Sequence, residues 1–221
     1  MQRLASLALA GALLAPIFLA GCDNDRNDLF GEFVAEVTVD GVQQENPDAD
    51  EDDEDGLRGE AIYTIVETER GREFVLGLFV GDLFDSEYDD YNFIRFRLSG
   101  GVPAVGAYAI EEDPERSGAM ATYAKVKEFD GDEQDACVGV DAPEEDEDRG
   151  DLFCGPILNA LDGVLTITRV DGYSVLGSFN FFARGVNVEA PGRIVDGFAN
   201  GRFEAVYERP SLVFNRGLDL R

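Results

Sequence analysis

The chain has 221 residues, and 46 acids against 18 bases give it a formal charge of −28. An excess of that size repels nucleic acid and anionic surfaces, so nucleic-acid binding is excluded. With no histidine, the chain also lacks the usual general base, the commonest metal ligand and any Ser-His-Asp arrangement.

The first element is a leader. Arg3 is the only charge before Asp23, and Leu4 to Ala20 is an uncharged, largely apolar run, which is the layout of an export signal. Gly11 and Pro16 weaken a helix there, and the run is short for a bilayer span. The residues that close it, Leu19-Ala20-Gly21-Cys22, resemble the lipobox of bacterial lipoproteins. That resemblance implies that residues 1–21 are removed as a signal peptide and that the Cys22 thiol receives a diacylglyceryl group; in that family the freed amine is often acylated as well. Two or more acyl chains make such an anchor stable, where one is marginal. It also implies a place at the cell envelope. In that family Asp23 after the cysteine can mean inner-membrane retention, whereas acids just downstream can mean surface export, and the outer membrane or surface is the expectation.

Cleavage would remove one base and no acid, taking the formal charge to −29. Assigning Cys22 to lipid leaves Cys137 and Cys154, an even pair, and in an oxidising compartment a disulfide is expected between them. It would close a loop that holds Glu144-Glu145-Asp146-Glu147-Asp148 and contribute about 3 kcal/mol. A thiolate metal site is the alternative, disfavoured because no histidine and no closely spaced cysteine pair is present. Lys125 and Lys127 are the only lysines, the other 16 bases being arginine. This Asp-rich, Lys-poor balance predicts adaptation to high salt, where screening removes the self-repulsion.

After a polar tether over residues 22–32, one β-rich domain is expected over 33–221, since no linker divides it. Period-two alternation dominates from there. Phe33, Ala35, Val37 and Val39 share one face of a strand that ends at an Asp40-Gly41 turn. Ala61 to Val66 and Glu73 to Val80 follow. Tyr91 to Leu98 comes next, with Ile94, Phe96 and Leu98 inward and Phe93, Arg95 and Arg97 opposite. Ala107 to Ile110 is shorter. Ala119 to Phe129 reads as a strand, although its composition would also tolerate a helix. Val164 to Val170, an Asp171-Gly172 hairpin turn of type I′ and a return over Tyr173 to Ala183 come next, and Asn200-Gly201 reads as another turn before Arg202 to Tyr207. The fold class expected is all-β, a single antiparallel β-sandwich or flattened β-barrel of roughly eight to ten strands.

Between Gly163 and Tyr207, the segments 165–172, 177–181 and 200–203 (LTITRVDG, GSFNF and NGRF) resemble a pattern in β-rich bacterial envelope lipoproteins. The match covers about a fifth of the chain and encodes hairpins and core positions. It carries no catalytic residues to transfer.

Two acidic groups are candidate sites. In Asp48 to Gly56, placing Gly56 at the sixth position of a calcium loop puts Ile62 at the twelfth, where a bidentate carboxylate is needed, so an EF-hand is rejected. Asp50, Asp52, Asp53 and Asp55 remain candidates for weak calcium binding, with a solvated acidic loop as the favoured reading. The second group is Asp82, Asp85, Glu87, Asp89, Asp90 and Asn92, interleaved with Phe84, Tyr88 and Tyr91. It reads as a binding loop for sugars or cations, or as plain surface acidity. Gly100-Gly101 and Gly185 lack the strand, glycine loop and helix that nucleotide binding requires. The function expected is a lipid-anchored, non-enzymatic binding or surface-structural module with no cofactor and an unassigned ligand. The alternative is a carbohydrate-active enzyme working through two carboxylates.

Overall fold

A computed structural model describes residues 31–46, 56–69, 71–80, 90–112, 118–127, 156–187 and 192–209. Cys22, Cys137 and Cys154, the leader, the tether as far as residue 30 and the calcium-candidate segment 47–55 lie outside the described residues. The described part is all-β. In chain order the strands are β1 (Gly31–Val39), β2 (Val42–Gln43), β3 (Leu57–Thr68), β4 (Gly71–Val80), β5 (Asp90–Ser99), β6 (Gly106–Glu111), β7 (Ala119–Lys127), β8 (Pro156–Val170), β9 (Ser174–Asn187) and β10 (Ile194–Tyr207).

These form one ten-stranded sheet in the order β10-β9-β8-β6-β7-β5-β4-β3-β1-β2, and an antiparallel ladder between β1 and β10 closes it into a ring. That arrangement agrees with the expected flattened barrel or sandwich, and it leaves neither β1 nor β10 as a free edge. Pairing is antiparallel except for short parallel contacts of β10 with β3 and of β6 with β7.

The inward faces follow the alternation seen in the sequence. Phe33, Ala35, Val37 and Val39 of β1 are buried, as are Ile94, Phe96 and Leu98 of β5. Their rings and branches meet Phe179 and Phe181 of β9, with Phe96 5.0 Å from Phe179 and 5.9 Å from Phe181 between centroids. Tilted and edge-on pairs of this kind add about 0.5–1.5 kcal/mol each beyond their burial. Tyr123 of β7 carries a polar group into this core, where its hydroxyl donates to Asn92 Oδ1 at 2.7 Å. Burial pushes the Tyr123 phenol far above its ordinary value, because no solvent is there to stabilise the phenolate.

Three expectations are corrected. Asn200-Gly201 is no turn; both residues lie inside β10, which runs unbroken and pairs Gly201 with Phe179 and Ala35. The Asp171-Gly172 hairpin exists, but neither residue has positive φ, so its turn is not type I′. Asp171 instead accepts from the backbone N–H groups of Tyr173 and Ser174 at 3.2 and 2.9 Å, an Asx-type closure. The backbone of a type I′ turn occurs at Asp40-Gly41, with φ of 51° and 79°, joining β1 to the two-residue β2. Third, Asn92 points into the core and serves Tyr123, so it is not a binding-loop residue.

Strands β3, β4, β5 and β7 are buried on both faces. Ile62, Thr64, Val75, Phe79, Phe93 and Ala124 are buried yet stand outside the inner core cluster. Phe79 and Phe93 pair there at 6.5 Å. A strand buried on both sides reads as a continuous apolar run rather than an alternating one, as Phe74 to Val80 does.

Candidate functional site

The outer face of β1 and its two neighbours forms an open groove of about 390 Å³. Its centre is Val34, which pairs with Arg202 on β10 and with Arg58 on β3, so two guanidinium groups flank one apolar side chain. One step along β1, Glu32 pairs with Glu204 on β10 and Glu60 on β3. Leu176 of β9 and Thr168 of β8 complete the wall. Thr168 is at the register shift between Ile167 and Arg169, a bulge that turns its side chain outward, where the hydroxyl donates to the Leu176 carbonyl at 3.2 Å.

Local contacts fix these groups. Asn46 grips the β3 backbone at Arg58, accepting from its N–H at 2.9 Å and donating to its carbonyl at 3.2 Å. Arg169 donates to Glu204 at 3.3 Å and stands 3.6 Å from Asp171. Arg202 has no ion-pair or hydrogen-bond partner for its guanidinium among the described residues, whereas Arg72, Arg97, Arg184 and Arg193 each hold a carboxylate. The groove therefore presents the unpaired Arg202 guanidinium, carboxylate acceptors and an apolar floor of Val34 and Leu176. That combination suits a small polar ligand bearing hydroxyl or acidic groups, with an apolar flank.

No family model matches the chain. Neither curated proteins nor solved structures yield a match.

Of the residues singled out in the sequence, Asp90 lies at the start of β5 and Asn92 in the core, while Asp82, Asp85, Glu87 and Asp89 lie outside the described residues, as do Asp50, Asp52, Asp53 and Asp55. Among the described residues no three acids or cysteines are grouped to hold a metal ion. The groove itself went unread. Its members come from five strands distant in sequence, and no local pattern joins them.

Proposed function

We propose that this protein is a lipid-anchored β-domain of the bacterial cell envelope, held at the outer membrane or cell surface, and that it acts as a non-enzymatic binding or surface-structural module. The observation that carries the reading is the apolar leader ending in Leu19-Ala20-Gly21-Cys22 ahead of an abruptly polar segment. The groove around Val34 supports a binding role, since it is open and its charged groups are solvent-exposed.

The alternative, a carbohydrate-active enzyme, finds one candidate pair in Glu32 and Glu204, which face each other across the β1–β10 ladder. Residues so placed have Cβ atoms about 4.5–5.5 Å apart, close enough for their carboxyl groups to be brought to the spacing of about 5–5.5 Å that a retaining mechanism uses. An acid kept protonated at neutral pH needs apolar surroundings. Glu204 is instead exposed and paired with Arg169, which favours binding over catalysis.

The test is mass spectrometry of the amino-terminal peptide from membranes of a lipoprotein-processing bacterium. The reading expects a chain beginning at Cys22 with a diacylglyceryl adduct, and a Cys22→Ser chain without it. A wild-type chain still beginning at Met1 and unmodified would overturn it. Hydrolysis of a polysaccharide that Glu32→Gln abolishes would favour the enzyme instead.

A further inference from the structure

Arg202 stands on the outer face of β10 among neutral side chains. Its direct cross-strand neighbours are Val34 on β1 and Ser178 on β9. Along β10 the next residue on that face is Asn200 on one side and Glu204 on the other. Glu204 is already held by Arg169 at 3.3 Å, and Arg169 itself stands 3.6 Å from Asp171. In a chain of 46 acids, Arg202 is therefore left without a carboxylate among the described residues. Arg58, across Val34 from Arg202, adds a second positive charge to the same row.

The opposite charge lies one step away. Glu32 pairs with Glu204, two residues along β10 from Arg202, so Glu32 and Arg202 are diagonal neighbours, about 7–8 Å apart at the backbone. Glu32 is exposed and makes no hydrogen bond or ion pair among the described residues. It also stands directly between Glu204 and Glu60, and like charges placed opposite one another are destabilising. Val34 adjoins both groups, following Glu32 on its own strand and facing Arg202 across the ladder. All three line the same groove, with Leu176 beyond them on β9.

We propose that the groove binds a zwitterion, with a carboxylate on Arg202, an amine on Glu32 and an aliphatic link of about 7–8 Å lying over Val34. The proposal rests on the reading of this groove as a binding site. The guanidinium fork of Arg202 matches a carboxylate with two parallel hydrogen bonds, and an ammonium group supplies three donors to Glu32. A simple anion would meet Arg202 but face Glu32, Glu204 and Glu60 with nothing to offset them, and a simple cation would gain nothing from Arg202. The lining favours an aliphatic link over a sugar ring. Phe33 and Phe203 are only 2% and 5% exposed, so the groove offers no aromatic platform for stacking. Hydrogen-bonded charges meet inside the screening length of about 3 Å at 1 M salt, so the contact persists where longer-range repulsion is quenched.

The probe is ε-aminocaproate, an unbranched chain with a carboxylate at one end and an amine at the other, long enough to bridge the two groups. Titrated into the full-length protein and followed by calorimetry or ligand-observed NMR, it should saturate a single site. Arg202→Gln and Glu32→Gln should each weaken it by about fivefold or more, the loss of one charged contact, with thermal melting showing that both chains are folded. Arg72→Gln removes an exposed arginine outside the groove and should bind as wild type does. Hexanoate and hexylamine, each lacking one of the charges, should bind about fivefold more weakly or worse, and glycine, too short to bridge, likewise. Absence of saturable binding, binding that hexanoate or glycine matches, or binding that Arg202→Gln leaves intact would overturn the proposal. Galacturonate held through Arg202 in place of ε-aminocaproate would overturn the zwitterion while keeping the groove as a binding site. An amino terminus without acyl groups would overturn the anchor and leave this titration as it is.

Discussion

Gly201 shows how tightly the inner face of β10 is built. A Cβ there would stand 2.6 Å from the Val34 carbonyl oxygen and 2.8 Å from both the Ala35 Cβ and the Phe179 ring. Backbone atoms on one side and a core ring on the other cannot yield cheaply, so Gly201→Val should cost about 1–3 kcal/mol by overpacking. For a domain of this size that lowers the Tm by about 3–10 °C. Gly172→Ala is the matched control, since a Cβ at Gly172 meets nothing within 4 Å, and its Tm should stay within about 2 °C of wild type. Thermal unfolding followed by circular dichroism checks both, and a Gly201→Val chain melting with wild type would contradict this packing. The same residue shows why the sequence misleads here. An Asn-Gly pair is a turn signal because glycine tolerates positive φ, but Gly201 is needed for its missing side chain, and only the distant Phe179 and Ala35 reveal that. Phe33, Ala35, Val37 and Val39 were legible because alternation along one strand is local information.

At the scale of elements, the strands were read more surely than the turns. Nine of the ten strands overlap segments visible as apolar alternation or apolar runs, and β2 was too short to show, being two residues held by the Asp40-Gly41 turn. Asp-Gly occurs at both 40–41 and 171–172, yet positive φ is found only at the first. The difference lies in loop length: Val39 pairs with Val42 across two residues, whereas Val170 pairs with Val175 across four. In the longer loop the aspartate acts through its side chain. Accepting from the N–H groups of Ser174 and Tyr173 and from the Ser174 hydroxyl holds the Asp171 carboxyl below its ordinary value of 3.8. A folded-state pKa lowered in this way gives stability that is present above pH 3.8 and is lost as the pH falls through the lowered value. Asp171→Ala should therefore melt below wild type at pH 6, and the gap should close as the pH drops below 3.8. Melting curves at pH 6, 4 and 2.5 test this, and a gap that widens toward low pH would refute the Asx-type closure.

For the whole molecule, the groove could not be read from sequence, because it depends on which strands the ring brings together. The ring closes through a ladder between β1 and β10, which are more than 150 residues apart in sequence, and no local pattern announces such a pairing. Folding a chain with 46 acids against 18 bases brings like charges closer together than they lie in the expanded chain, so self-repulsion weighs on the folded state. Screening reaches about 10 Å at 0.1 M salt and about 3 Å at 1 M, so molar salt removes repulsion between neighbouring connections that dilute buffer leaves in place. The Tm should accordingly rise by about 5 °C or more between 0.1 and 2 M potassium chloride, which corresponds to about 1–2 kcal/mol for a domain of this size. Neutralising the charge by substitution separates this effect from general salting-out. A chain with Asp50, Asp52, Asp53 and Asp55 changed to asparagine should start from a higher Tm in dilute buffer and gain less from salt, because part of the repulsion is already gone. Parallel salt responses in the two chains would assign the stabilisation to burial of apolar surface, and a flat response in wild type would refute the high-salt adaptation predicted from the scarcity of lysine.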